Sequence, residues 1–155
     1  RIGYMAGPLD VIRAATKIQS QLTSCASSIS QEAALAALTE TPADWLPARV
    51  AELKEKRDLA HEIICRIPDV TCKKGDGAFY LLPNVSAFYG KKTQNGDPIE
   101  DAHALCLNLL KAHGVALVSG DAFGAPDCIR VSYAASEQLI RASLGRLSSF
   151  LLSLE

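Results

Sequence analysis

At 155 residues the chain is long enough for one domain with a sizeable core. Sixteen Lys and Arg against 17 Asp and Glu leave a net charge of −1, and 48% of the residues are apolar, which excludes a basic footprint for nucleic acid. No apolar run is long enough to span a membrane, and the five cysteines, Cys25, Cys65, Cys72, Cys106 and Cys128, are odd in number and lack a CxxC pair. They suit neither a disulfide framework nor a zinc site, and point to a reducing compartment.

In chain order, Arg1–Met5 is a β-rich run with no preceding partner, which is expected of a piece cut from a longer protein. Gly7-Pro8 marks a turn with Pro8 suited to a first helical position. Val11, Ala15, Ile18 and Leu22 recur at helical spacing. The period fails over Thr23–Ser30, TSCASSIS, where hydroxyls compete for backbone hydrogen bonds and act as caps. An Ala-rich helix is expected over Ser30–Leu38, and Thr39–Ala43, with Pro42, breaks it. The longest pattern runs from Asp44 to Ile67, with Leu46, Val50, Leu53, Arg57, Ala60, Ile64 and Ile67 in register. Pro47 is tolerable only in its first turn, and Pro68 stops it. Its other face, Glu52 to Asp58, is a solvated charge run.

From Val70 the period shortens. Val70–Lys73, a Lys74-Gly75-Asp76 turn and Ala78–Leu82 predict a strand pair, with Phe79 and Tyr80 on opposite faces. Phe88–Gly96 is a polar loop. Asp97-Pro98-Ile99-Glu100 is a helix start, with a stripe of Ile99, Ala102, Cys106, Leu109 and Leu110, ended by Gly114. Two further strands, Val115–Val118 and Cys128–Tyr133, flank a Gly/Ala/Asp-rich loop. Ser136 caps a last helix with an Ile140, Leu144, Leu147, Leu151, Leu154 stripe. The order from Val70 is β-β-α-β-β-α, an α+β sheet layer covered by two helices. His61, His103 and His113 show no ligand spacing, so no metal is expected.

One residue stands out for chemistry. Alternation in the last strand puts Ile129, Val131 and Tyr133 on one face and Cys128, Arg130 and Ser132 on the other. Arg130 is therefore a permanent cation on a strand among small side chains, either paired with a structural Asp or Glu or set for a two-point grip on a ligand carboxylate.

Three blocks carry a family resemblance. The run S-G-D-A-F-G-x-x-x-x-I-R-V-S-Y-A, Ser119 to Ala134, resembles the C-terminal signature of the fold-type I pyridoxal-phosphate aminotransferases, class I/II. RIGYMAGP at the start is similar to the segment just downstream of that family's Schiff-base lysine, and GAFYLLPNVS, Gly77–Ser86, resembles a third block. The resemblance implies an α/β fold and a C-terminal portion. Residues 1–43 would end the large cofactor-binding domain, 44–67 would be the connecting helix and 68–155 the small domain. It also implies that Arg130 binds the substrate α-carboxylate, that Phe79 lines the substrate pocket and that Arg1 pairs with the phosphate of pyridoxal 5'-phosphate. The lysine would lie upstream, leaving no catalytic residue in this chain. None of Lys17, Lys54, Lys56, Lys73, Lys74, Lys91, Lys92 or Lys111 sits in the lysine motif.

The helix segment KIQSQLTS lacks the Arg that animal-type aspartate enzymes use for the distal carboxylate. It resembles the bacterial/plastid-type branch, which includes aspartate and glutamate/aspartate-prephenate aminotransferases. Ser119 stands where the family more often has Pro. The implied activity is transamination between aspartate or glutamate and a 2-oxo acid, by a homodimer when full length, in the cytoplasm or a plastid, with no nucleic-acid or membrane partner. Alternatives are another fold-type I enzyme, of the C–S lyase or cyclopropane-carboxylate synthase kind, and a non-catalytic α+β amino-acid-binding module.

Overall fold

The computed structural model describes residues 1–155, which divide into two units, Arg1–Pro47 and Ala48–Glu155. The first holds α1 (Leu9–Leu22) and α2 (Ser28–Thr39), and neither helix buries a residue. Pro8 occupies the N-cap position of α1, and its carbonyl accepts the Ile12 N–H at 3.1 Å. α1 stops where the hydroxyl-rich stretch begins: Thr23 N–H still donates to Gln19 O, but Ser24 turns left-handed at φ 65°. α2 starts at Ser28, two residues ahead of the expected boundary, with Ser27 at its N-cap making no side-chain cap bond. Arg1–Met5 is not a strand. The strand preference of Ile2 and Tyr4 is local, whereas a ladder requires a neighbouring strand, and none pairs with it.

α3 (Trp45–Cys65) realises the long helical pattern, with Pro47 in its first turn, where a missing N–H does no harm. Only its later part reaches a core: Ala60, Ile64 and the following Ile67 are buried, whereas Leu46 and Val50 are exposed.

The second unit is organised on a three-stranded antiparallel sheet of order β1-β3-β2, with β1 (Tyr80–Leu81), β2 (Val118–Ser119) and β3 (Ile129–Ser132). The registers are Tyr80↔Ser132 and Leu81↔Val131 on one side of β3, and Val118↔Arg130 and Ser119↔Ile129 on the other. The strands are shorter than the sequence suggests. Val70–Lys73 contributes a single bridge, Thr71↔Asn84, in place of a strand. Pro83, which would continue that pairing, has no N–H to donate, and Ala78 at φ 59° bends the chain just before β1. The observed order is thus β-α-β-β-α with a bridge ahead of it.

α4 (Ala102–His113) begins later than Asp97-Pro98-Ile99-Glu100 proposes. Those residues are drawn into a loop ladder instead: Ile99 N–H donates to Lys91 O, Gly90 N–H to Ile99 O, and Lys92 bridges Pro98. Asp101 caps the helix, its Oδ1 accepting the Ala104 N–H at 2.7 Å, and Gly114 ends it in the left-handed region at φ 64°. α5 (Glu137–Leu152) is capped by Ser136, whose Oγ accepts the Leu139 N–H at 3.3 Å. Its expected stripe, Ile140, Leu144, Leu147, Leu151 and Leu154, is buried in full, together with Phe150. The core lies between α3, α4, α5 and the sheet face bearing Leu81, Ile129, Val131 and Tyr133. The opposite sheet face, with Tyr80, Arg130 and Ser132, is left for other work. No helix is long and apolar enough to cross a membrane.

Candidate functional site

Arg130 sits on the central strand, on the sheet face away from the core, and is half-buried. It makes no ion pair: the six ion pairs of the chain join other residues. Its guanidinium carbon lies 4.4 Å from the ring centroid of Tyr80 and 4.4 Å from that of Phe123. Tyr80 belongs to β1 and Phe123 follows β2, so the two rings reach Arg130 from the two flanks of β3. The cation thus lies over two π-systems, and its N–H groups have no carboxylate partner.

Each ring is held by local structure. Ahead of β1, Tyr133 is buried and fastens the bend: its N–H donates to Phe79 O at 3.0 Å and its hydroxyl to Ala78 O at 2.9 Å. That pins the left-handed Ala78 and fixes the direction in which Tyr80 enters the sheet. On the other flank, Gly120–Phe123 forms one 3-10 turn. Gly120 N–H donates to Cys128 O at 2.8 Å, Ala125 N–H to Gly120 O at 3.0 Å and Gly124 N–H to Asp121 O at 3.1 Å. Gly120 is needed there because an added Cβ would overlap the Ala125 carbonyl oxygen and lie 2.6 Å from that of Cys128. The turn is closed further by Ser119, whose hydroxyl donates to the Asp121 carboxylate.

A cavity of about 760 Å³ opens beside these groups, lined by Arg130, Tyr80, Phe123, Lys73, Asn84 and Cys128 among others. No Asp or Glu lines it, and two cations do. Asn84 is occupied locally, its Oδ1 accepting from the N–H and hydroxyl of Ser86. Two thiols face the same space, and neither is poised as a nucleophile. Burial, with smaller contributions from Cys65 and Cys128, pushes Cys72 up to about 11, and burial plus the Asp127 charge raises Cys128. The arrangement suits a small anion gripped at the guanidinium edge.

Of the residues singled out from sequence, Arg130 is in this cavity. Phe79 is 41% exposed and does not line it; its ring packs against Tyr80 with centroids 4.3 Å apart. The two rings do not occupy opposite faces, because β1 starts only at Tyr80 and Phe79 lies in the bend before it. Arg1 is exposed and belongs to the first unit. Sequence reasoning missed Tyr80 and Phe123 as partners of the cation. The signal would have been the order of the sheet, which puts β3 in the middle and which periodicity does not supply.

A profile of the aminotransferase class I and II family matches residues 1–147. The chain belongs to that family. Among its relatives, a bifunctional aspartate aminotransferase and glutamate/aspartate-prephenate aminotransferase of Petunia hybrida is 42% identical over 157 residues, covering 100% of this chain and 33% of the relative. An aspartate/prephenate aminotransferase of Cereibacter sphaeroides is 41% identical over 97% of this chain and 37% of its own length. The aspartate aminotransferase structure from Rhizobium meliloti superposes with a TM-score of 0.85 at 37% identity, over 96% of this chain and 37% of that one. The chain thus spans about a third of the length of the curated relatives it matches. Its mixture of helices with a small antiparallel sheet is consistent with a C-terminal portion of the fold-type I aminotransferase fold.

Proposed function

We propose that the whole protein is a transaminase that moves an amino group between aspartate or glutamate and a 2-oxo acid, with Arg130 as the anchor for the substrate α-carboxylate. The observation that carries this is an Arg with no ion-pair partner, held over two rings at the edge of a cavity lined by no acid. A structural Arg would be expected to hold a carboxylate of its own. A ligand-binding Arg keeps its edge free. The names of the relatives support the amino donor, since those described above are aspartate or aspartate/prephenate enzymes. Within this reading residues 1–43 belong to the cofactor-binding domain, 44–67 form the connecting helix and 68–155 the small domain. Phe79, outside the cavity lining, would act on the substrate only through its packing against Tyr80.

Members of the family are in general pyridoxal-phosphate enzymes. The residues of this chain fit that cofactor only in part. Arg1 offers a cation for the phosphate, but no lysine of the chain stands in the Schiff-base motif, and no acid beside Arg130 is available to the pyridine nitrogen. When bound, such a cofactor supplies the electron sink for the amino group's removal. What this chain supplies is the grip on the carboxylate and the apolar surroundings that strengthen it. The 155 residues alone are accordingly without transaminase activity.

The test is substitution of Arg130 in the whole protein. Removing one partner of a buried charge-assisted contact costs about 2–5 kcal/mol. At ~1.4 kcal/mol per decade, Arg130→Ala lowers kcat/KM by roughly 30- to several-thousand-fold, for amino-acid and 2-oxo-acid substrates alike. Arg130→Lys recovers only part, because an ammonium cannot make the two-point contact. Normal turnover in a destabilised Arg130→Lys protein would show that the residue serves the fold and not the substrate.

A further inference from the structure

We propose that Phe123 and Tyr80 are positioning residues for Arg130, an aromatic clamp that fixes the plane of the guanidinium so that its two N–H edges address the cavity. The inference rests on the reading of Arg130 as the carboxylate anchor and goes beyond it by assigning how that anchor is aimed.

An Arg side chain has four rotatable bonds, and a strand position fixes only its origin. An unpaired guanidinium on an open sheet face samples many orientations, and a ligand that selects one of them must offset the loss. Here the orientation is selected in advance. The guanidinium carbon is 4.4 Å from each of two ring centroids, within the range in which a cation is attracted to the face of an aromatic. The rings come from elements on opposite flanks of β3, so motion toward either flank is blocked by the ring on that flank. A carboxylate in that place would also immobilise the cation, but it would occupy the N–H groups a ligand needs. A ring takes only the face. Aromatic partners are thus the choice that orders the side chain and leaves its hydrogen-bonding edge vacant.

The clamp is built into the backbone on both sides. Phe123 is 46% exposed, so core burial does not explain its place. Its position follows from the 3-10 turn at Gly120–Phe123, tied to β3 through the Gly120–Cys128 hydrogen bond. Tyr80 is set by the double hydrogen bond of Tyr133 to the Ala78–Phe79 bend. The SGDAFG turn therefore has a use beyond connecting β2 to β3: it delivers one jaw.

A merely structural Phe123 would affect stability, whereas a clamp affects affinity and does so only through Arg130. The experiment is a double-mutant cycle in the whole protein with Phe123→Leu and Arg130→Lys, read by steady-state kinetics with aspartate and 2-oxoglutarate and by melting temperature. Phe123→Leu is expected to raise KM for both substrates about 5- to 30-fold, equivalent to ~1–2 kcal/mol, with kcat within about twofold of the parent. Phe123→Tyr, which keeps the ring, restores the parent KM. In the Arg130→Lys background Phe123→Leu has little further effect, since the planar group it orients is gone. The Nε–Hε resonance of Arg130 in the unliganded protein, shifted upfield by the rings, moves downfield in Phe123→Leu.

Equal KM effects of Phe123→Leu with and without Arg130→Lys would overturn the clamp, as would an unchanged Nε–Hε shift. If Phe123→Leu fails to fold, Phe123→Met, of similar volume but without a ring, carries the same comparison. If Arg130→Lys leaves KM for both substrates unchanged while the Nε–Hε resonance still responds to Phe123, the anchor assignment has failed and the clamp, as geometry, has not.

Discussion

At the scale of single residues the cavity shows how environment sorts like side chains into unlike roles. Cys72 and Arg130 line the same space, yet one is made inert and the other is left available. Burial pushes Cys72 up to about 11, and burial pushes the core residue Cys106 to about the same value, with the Asp101 charge adding to it. At pH 8 a thiol at about 11 is roughly 0.1% thiolate, and the thiolate is the reactive form. Iodoacetamide at pH 8 should therefore label the exposed Cys25 and Cys65 well before Cys72 and Cys106, as read by mass spectrometry of tryptic peptides. Rapid labelling of Cys72 would mean that the cavity is wetter than its lining implies. The sign of the linked stability follows. A folded-state value raised above the unfolded one keeps the thiol neutral in the fold, so its contribution is whole below pH ~9. It is lost as pH rises toward about 11. Cys106→Ala should flatten that alkaline loss, measured by urea midpoints between pH 8 and 10.

At the scale of elements the turn between β2 and β3 is the part on which the site depends most. Gly120→Ala would drive a methyl group against two backbone carbonyls, which cannot swing aside as a side chain could. Overpacking of this kind costs about 1–3 kcal/mol, and for the unit of β-strands and helices it belongs to, the melting temperature should fall by roughly 4–8 °C per kcal/mol. Gly145, whose added Cβ would meet nothing, is the control: Gly145→Ala, inside α5, should be neutral or stabilising. A Gly120→Ala protein with an unchanged melting temperature would show that the turn can open. How much of this was legible beforehand differs by element. The stripe of α5 was readable but for Phe150, because a helix declares its buried face through its own periodicity. Arg130 was readable too, because alternation in β3 separates it from Ile129 and Val131. The strand pairings were not. Whether Val70–Lys73 becomes a strand or a single bridge depends on Pro83 opposite it, and whether Asp97 or Asp101 caps α4 depends on a ladder to Lys91 and Lys92. Such facts are set by what lies across space. Tyr80 was hidden for the same reason, since its role comes from β3 being the middle strand.

At the scale of the whole molecule the two units differ in kind. Ala48–Glu155 has a continuous core that runs from Ala60 to Leu154, whereas Arg1–Pro47 contains no buried side chain. The first unit instead exposes Ile2, Met5, Leu9, Val11, Ile18, Leu22, Ile29, Leu35 and Leu38, with Tyr4 98% exposed. Apolar surface on that scale, on two helices and the unpaired run before them, drives association in water. The unit 48–155 meets the usual conditions for folding by itself: about 100 residues, one core and capped helices. The expected outcome is that the 155-residue chain self-associates in sedimentation velocity, while a chain of residues 48–155 is monomeric and unfolds in one cooperative transition. Hydrophobic-to-polar changes at Val11, Ile18 and Leu22 in the longer chain should reduce the association without altering that transition, because no residue of α1 belongs to the core. A monodisperse 155-residue monomer would mean that the first unit finds a way to cover its apolar residues within one chain. A 48–155 chain lacking a cooperative transition would mean that the core from Ala60 to Leu154 is not sufficient for folding.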